Sequence, residues 1–233
     1  MKVQAIIAAA GAGTRLKSKV PKPLLAIKGQ PILFYSLKVF AQCSLIDSVI
    51  VVVPSAGRTV FEKAIKKSGI HKKVMCVAGG ARRCDSIRNG LRRLDADTKL
   101  VVVHDGARPF ITHDLLRRCI RAGRKDKAVV AAVPVTSTIK RVCTKTGVVW
   151  ATLNREDLWE IQTPQVFDRK IIDRAYSALS SITPTDDAQL VEQAGSQVKI
   201  VLSSYDNIKI TAPEDVAFAE YLLSRRKVCS GSA

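Results

Sequence analysis

Short apolar, β-branched runs alternate with amphipathic stretches through the first 135 residues, and this rhythm admits one class of fold. The runs cover residues 3–10, 48–54, 74–77, 100–104 and 128–135. Four of them are nearly continuous in apolar residues, as central strands of a parallel sheet are when both faces are covered. Between them, residues 32–42, 59–67, 85–94 and 114–123 repeat apolar side chains every three to four positions, the period of a helix. Strand and helix in alternation imply right-handed crossovers and an α/β fold: a single doubly wound, mostly parallel sheet with helices on both faces. Ligands of such sheets bind beyond the carboxyl ends of the strands.

The rhythm breaks after Val135. Residues 136–160 mix β-branched, basic and polar side chains around a turn at Thr146–Gly147, and are expected to form an extended β-arm with a poor core of its own. Such an arm packs on something else, often a second subunit. Helices are expected again at 169–179, 186–194 and 213–225, with one more strand near 198–202. Residues 1–228 then form one domain, followed by a tail, 229–233, without structure.

Three polar loops fall at predicted strand ends. In the first, Gly11 and Gly13 end an apolar run, and Arg15 and Lys22 follow within a short span. Glycines allow close backbone approach and let amides point at an anion. A guanidinium fork and a compact ammonium both suit phosphate. This is the equipment for holding a nucleoside triphosphate. A dinucleotide fingerprint would need a third glycine where Leu16 stands, and the Gly-x4-Gly-Lys-Ser/Thr phosphate loop is absent.

In the second loop, Gly79 and Gly80 allow close approach to a flat base, and Ser86 can read its polar edge. Asp85 or Ser86 can equally cap a helix. The third runs from His104 to Pro109. There Asp105 is an oxygen ligand suited to Mg²⁺ or a sugar hydroxyl, and Arg108 can bind phosphate or pair with a carboxylate. Thr185 with Asp186 and Asp187 can be read as a metal site but more simply as a helix start, with Thr185 as cap and acidic residues in the first turn. Lys209 taken alone is a surface charge. No serine sits in a nucleophile elbow.

Composition narrows the partners. The 233 residues carry 38 Lys and Arg against 20 Asp and Glu, a formal charge of +18. That excess suits an anionic small substrate, weak polyanion affinity or a bias of the source proteome. Aromatic residues at 5% leave little for base stacking, so nucleic acid is not the expected partner. No apolar run approaches the roughly 20 residues of a membrane span. Six scattered cysteines without a Cys-x-x-Cys pair argue against a zinc site or disulfide framework, and the absence of a leader-like segment adds to an expected cytoplasmic setting.

Taken in order, Ala-Ala-Gly-x-Gly-x-Arg…Pro-Lys, Gly-Gly-x-x-Arg-x-x-Ser, His-Asp-x-Ala-Arg-Pro, Thr-Pro-Gln, Thr-Asp and Asn-Ile-Lys-x-Thr-x-Pro-Glu-Asp resemble the 2-C-methyl-D-erythritol 4-phosphate cytidylyltransferase family. The match spans about residues 3–223. The resemblance implies a nucleotidyltransferase-like Rossmann variant and a Mg²⁺-dependent reaction of CTP with methylerythritol phosphate. It assigns catalytic roles to Arg15, Lys22, Arg155 and Lys209. Ala9, Ala10, Gly11, Ala12, Gly13, Thr14, Gly80, Arg83, Ser86, Asp105 and Ala107 would contact the nucleotide. Asp105, Arg108, Thr138, Arg155, Thr185 and Lys209 would contact the second substrate. Asp105 is the candidate metal ligand, with Mg²⁺ held mostly by the CTP phosphates. The arm would reach the site of the other subunit of a homodimer. Ribitol 5-phosphate cytidylyltransferases share the chemistry but usually begin Ala-Gly-Gly, where this chain has Ala9-Ala10-Gly11. Sugar-1-phosphate nucleotidylyltransferases share Pro-Lys-Pro-Leu-Leu, but their Leu-Gly-Asp motif is missing. A basic nucleic-acid-binding protein is the alternative from another class.

Overall fold

The computed structural model describes residues 1–11, 21–179 and 183–230. In chain order, the first half gives β1 (Lys2–Ala8), β2 (Ala26–Ile27), β3 (Gln30–Pro31), α1 (Ile32–Gln42), β4 (Ser48–Val53), α2 (Arg58–Lys67), β5 (Val74–Ala78), α3 (Arg83–Leu91), β6 (Thr98–Asp105) and α4 (His113–Asp126). The second half gives β7 (Ala128–Pro134), β8 (Lys140–Val142), β9 (Val149–Thr152), β10 (Trp159–Asp168), α5 (Arg169–Ser177), α6 (Asp187–Gln193), β11 (Lys199–Leu202) and α7 (Pro213–Ser230). Among the described residues, seven strands form one sheet in the order β11-β7-β10-β6-β1-β4-β5. All pairs are parallel except those of β10, which runs antiparallel to both β6 and β7. The doubly wound, mostly parallel α/β fold is therefore as the periodicity requires.

Strand geometry sends alternate side chains to opposite faces, and both faces are apolar here. Val3, Ala5, Ile7, Val49, Val51, Leu100 and Val102 meet the helices α1, α2 and α4 on one side. Ile6, Ile50, Val52, Val101 and Val103 meet α3, α5 and α6 on the other. Each fully buried Val, Ile or Leu contributes roughly 1.5–3 kcal/mol of transfer free energy, so the five central strands cannot be moved without losing both layers. A third cluster, built from Ile27, Ile32, Phe110, Ile210, Ala219 and Leu222, packs α7 beside the β2–β3 hairpin. The two-residue turn of that hairpin, Lys28–Gly29, has positive φ at both positions, the geometry that matches strand twist.

Three differences from the sequence reading have physical causes. Strand β10 was not expected, because Gln162, Thr163, Pro164 and Gln165 interrupt its apolar pattern and proline argues against a central strand. The Thr163–Pro164 peptide is cis, and the pairing with β7 is interrupted between Ile161 and Gln165. The three polar residues are nonetheless buried and hydrogen-bonded. Second, β10 begins at Trp159, inside the segment assigned to the arm. The arm itself holds a separate two-stranded sheet, β8–β9, closed by the turn at Gly147. Third, α7 continues to Ser230, two residues into the stretch expected to lack structure.

Candidate active site

Loops from three parallel strands meet at the carboxyl edge of the sheet, tied together by backbone hydrogen bonds. Ala9 N–H donates to Val52 at 2.7 Å, Gly79 N–H to Val53 at 2.8 Å and Gly106 N–H to Ala8 at 2.9 Å. A cleft of about 480 Å³ opens there. Ala9, Ala10, Gly11, Lys22, Gly80, Arg83, Ser86, Asp105, Ala107 and Lys209 line it, ten of the residues singled out from sequence. Ala12, Gly13, Thr14 and Arg15 lie outside the described residues.

The Gly79–Gly80 loop is shaped first by the protein's own packing. A Cβ on Gly79 would lie 2.4 Å from the Ala10 side chain and 2.9 Å from Ser86 Oγ, and one on Gly80 would lie 2.5 Å from Asp85 Cβ. The glycines thus let α3 begin directly against β1. Ser86 Oγ accepts from Gly80 N–H at 3.1 Å and donates to the Arg82 carbonyl at 3.2 Å. Asp85 closes the start of α3 from its third helical position, accepting from Arg82 N–H and pairing with the Arg82 side chain at 3.0 Å. Ser86 therefore holds the loop while Asp85 performs the capping.

Asp105 is the electrostatic centre. It ends β6, is only 7% exposed, and is shared by two cations. Its Oδ1 lies 3.2 Å from Arg83 Nε and its Oδ2 lies 2.7 Å from Lys209 Nζ. Burial acting alone would push its carboxyl up, but Arg83, Lys209 and Arg108 together hold it well below the usual carboxylate range. The second arm of Arg83 reaches Asp187 Oδ2 at 2.8 Å. Burial opposes the Arg83 charge, and Asp187 and Asp105 more than restore it. Lys209 arrives on the returning segment 207–211, which is pinned where Ile210 N–H donates to the Ala107 carbonyl at 2.8 Å. Nothing local to either residue signals this pairing, since 104 positions separate Asp105 from Lys209.

His104 supports that carboxylate and takes no part in the cleft. Its Nδ1 lies 2.9 Å from Thr163 Oγ1 and its Nε2 lies 3.1 Å from the Arg108 carbonyl, while Asp105 N–H donates to Thr163 Oγ1 at 3.1 Å. All three contacts are satisfied by one neutral tautomer: Nε2–H donates to the carbonyl and Nδ1 accepts the threonine hydroxyl proton. Burial pushes the imidazole down to about 4. Thr163, supplied by the unexpected strand β10, thus orients the Asp105 loop. Thr-Pro-Gln was the only signal for it in the sequence.

Four predicted residues are not among those lining this cleft. Arg108 is buried, donating from Nη1 to the Asn207 carbonyl at 2.7 Å; Asn207 in turn donates to Gln162 Oε1 and the Thr163 carbonyl, both at 2.9 Å. Arg108 therefore fastens segment 207–211 to β10 instead of facing the opening. Thr138 and Arg155 are exposed on the arm, with Arg155 Nη1 donating to the Thr136 carbonyl. Thr185 is exposed and does not cap α6: Asp186 does, accepting from Gln189 N–H at 2.9 Å. Conversely, Arg82 and Thr211 line the cleft without having been singled out. Lys22 sits in a 3₁₀ turn, Lys22–Leu24, and helps hold the nearby Asp215 carboxyl low together with the Thr211 and Ala212 amides, against the opposing effect of burial.

The cleft therefore presents Lys22, Arg82, Arg83 and Lys209 against Asp105 alone among its described lining residues. That charge balance, with exposed glycine backbone at Gly11 and Gly80, suits a polyphosphate. The family model IspD, 2-C-methyl-D-erythritol 4-phosphate cytidylyltransferase, matches residues 3–225. The chain belongs to this family. It is 44% identical over 229 residues to the 2-C-methyl-D-erythritol 4-phosphate cytidylyltransferase of Alkaliphilus metalliredigens, covering 97% of this chain and 95% of that one. The Geobacter metallireducens enzyme of the same name is 40% identical, with 97% and 99% covered. Among solved structures, the 4-diphosphocytidyl-2C-methyl-D-erythritol synthase of Anaerococcus prevotii superposes with a TM-score of 0.84 at 34% identity, covering 96% of this chain and 98% of that chain. The Thermus thermophilus member superposes at 0.77 with 29% identity, over 95% and 98%.

Proposed function

We propose that the chain joins CTP and 2-C-methyl-D-erythritol 4-phosphate, giving 4-CDP-2-C-methyl-D-erythritol and pyrophosphate. An oxygen of the substrate phosphate attacks the α-phosphorus in line, and the bond from that phosphorus to the β-phosphate bridging oxygen breaks. The attacking oxygen is already anionic, so no general base is required, and catalysis is positioning plus charge stabilisation. The observation that carries this reading is the Asp105 cluster inside a cationic cleft, in a chain related to cytidylyltransferases over nearly all its length.

In this reading Lys22, with Arg15, stabilises charge on the triphosphate. The backbone at Ala9–Gly11 and Gly80 receives the nucleotide, with Ala12, Gly13 and Thr14 completing the loop. Asp105 and Ala107 lie by the ribose, and Arg83 and Lys209 by the reacting phosphates. Among the described residues no group of three or more His, Cys, Asp or Glu side chains converges on a metal position. Asp105 supplies one carboxylate already flanked by two cations. That donor set fits a Mg²⁺ that would be carried mostly by the triphosphate, with Asp105 the one described lining carboxylate that could hold it. When bound, the ion neutralises triphosphate charge.

Thr138 and Arg155 complete the substrate pocket of a second copy in a homodimer. Support comes from the arm's exposed apolar side chains: Trp150 is 65% exposed, Val148 58% and Val149 53%. Thr185 serves the same pocket from the start of α6. A cytoplasmic setting accords with free cysteines; no helix among the described residues is long and apolar enough to cross a membrane.

The test is pyrophosphate release with Mg²⁺ and CTP, offering methylerythritol phosphate, ribitol 5-phosphate or glucose 1-phosphate in parallel. Release with methylerythritol phosphate alone is expected. Release only with another acceptor would move the chain's activity to a sister reaction. No release by folded protein would sink the enzyme reading and favour polyanion binding, whose affinity falls steeply with salt.

A further inference from the structure

Asp187 is 0% exposed and does not line the cleft, yet it sits one residue from the cleft's central carboxylate through a shared arginine. Its Oδ2 lies 2.8 Å from Arg83 Nη2, and Arg83 Nε lies 3.2 Å from Asp105 Oδ1. Its Oδ1 accepts a short hydrogen bond from the Tyr176 hydroxyl, and Tyr176 is itself buried on α5. Lys209 closes the series at Asp105 Oδ2. Five side chains from α5, α6, α3, the end of β6 and the 207–211 segment thus form one line of alternating partners that ends at the opening.

We propose that Asp187, oriented by Tyr176, is a positioning residue for the nucleotidyl transfer: it acts through Arg83 to aim Asp105 and, through it, Lys209. This rests on the cytidylyltransferase reading of the site. The physical reason is that Arg83 has two carboxylate partners, Nε facing Asp105 and Nη2 facing Asp187, so each carboxylate engages a different nitrogen of one planar fork. With Asp187 in place, Nη2 of Arg83 is held toward Asp187, and the guanidinium does not give both Nε and Nη2 to Asp105. One oxygen of Asp105 therefore stays available to Lys209. Without the Asp187 charge, Nε and Nη2 both turn to Asp105, the one other carboxylate paired with Arg83 among the described residues, and Lys209 loses its anchor. The tyrosine hydroxyl, donating to the oxygen that Arg83 does not use, holds the carboxylate plane in the orientation that makes this division.

A double-mutant cycle tests it, on full-length protein: wild type, Asp187→Asn, Arg83→Gln and the double variant. Each is assayed for kcat and KM with CTP and methylerythritol phosphate, and titrated with CTP by calorimetry after its thermal midpoint is measured. Asp187→Asn is expected to lower kcat about tenfold in the wild-type background, since small misplacements of reacting groups cost that much or more. In the Arg83→Gln background the same change is expected to cost less than about twofold, because the group it acts through is gone. A purely structural role predicts the same loss in both backgrounds, and that result overturns the proposal. So does a kcat within twofold of wild type for Asp187→Asn alone. If Asp187→Asn does not fold, Tyr176→Phe removes one hydroxyl while keeping the ring and replaces it in the cycle. A threefold loss that vanishes beside Arg83→Gln supports positioning; an equal loss in both backgrounds, or none, overturns it. If wild type releases no pyrophosphate, the enzyme reading fails. The CTP titrations then decide the positioning claim: non-additive affinities support it and additive ones overturn it.

Discussion

The cleft and the β8–β9 arm invert the usual rule of burial in opposite ways. At the cleft, Asp105 and Asp187 are charged and almost wholly buried, each answered by a cation within 3.2 Å. On the arm, Trp150, Val149, Val148, Val142 and Leu153 are apolar and exposed. Buried charge is tolerated only when paired and hydrogen-bonded, and the cleft supplies those partners from within one chain. Exposed contiguous apolar surface marks a site of contact, and the arm finds no such cover among the described residues of its own chain. The first region meets its buried charges from within one chain; the second leaves its apolar side chains exposed.

Changes at the cleft therefore have the largest expected effects. Lys22→Ala is expected to lower turnover by about a thousandfold with the thermal midpoint little changed, because a preorganised charge is lost from a transition state while no core packing is. A rise in KM alone, at unchanged kcat, would make Lys22 a binding group only. Asp105→Asn should cost activity about a hundredfold and, unlike Lys22→Ala, should also destabilise the fold. Removing one partner of a buried ion pair costs roughly 3–5 kcal/mol, which denaturant titration would detect. Retained stability would mean that Arg83 and Lys209 find other partners.

The arm should behave in the opposite sense. Trp150→Asp is expected to shift the sedimentation of the protein from dimer to monomer and to lower activity about tenfold, with the far-ultraviolet dichroism preserved. An unchanged dimer would remove the arm from the interface. Acid sharpens the contrast further. His104 is held down to about 4 in the fold against 6.5 when free, so the unfolded chain takes up a proton that the folded chain refuses. Stability is then lost as pH falls from about 6.5 towards 4, at about 1.4 kcal/mol per pH unit. His104→Asn should flatten that slope, and a slope identical to wild type would argue that the histidine is not buried neutral. The smallest effect belongs to Val149→Thr, at an exposed arm position, expected to move unfolding free energy by no more than about 0.5 kcal/mol.

Much of the fold was legible because the rule that shapes it is local. A strand buried on both faces must be apolar throughout, and a covering helix must repeat its apolar residues every three to four positions. β1, β4, β6 and β7 obey the first rule and α1 to α4 the second, so their order and the edge carrying the loops could be read directly. Strand β10 could not be. Its inward residues Gln162, Thr163 and Gln165 are polar because they serve the Asp105 loop, Asn207 and α6. A strand that works as a hydrogen-bonding partition carries no apolar signature.

The site divides along the same line. Gly11, Lys22, Gly80 and Asp105 were visible as residue types suited to phosphate at strand ends, since backbone freedom and charge are properties of the residue and its immediate neighbours. What remained hidden was which charge meets which. Arg108 reads in sequence as a phosphate binder or a carboxylate's partner and Lys209 as a surface charge, yet the first fastens a segment to β10 and the second meets Asp105 in the cleft. Asp187 looked like the start of a helix and is the buried partner of Arg83. Ion pairing acts through space across 22 to 104 positions of chain, and its outcome depends on where the sheet order puts each strand end. Composition and periodicity settle the layers and the address of the cleft; the pairing of its charges follows from distances that exist only once the layers have packed.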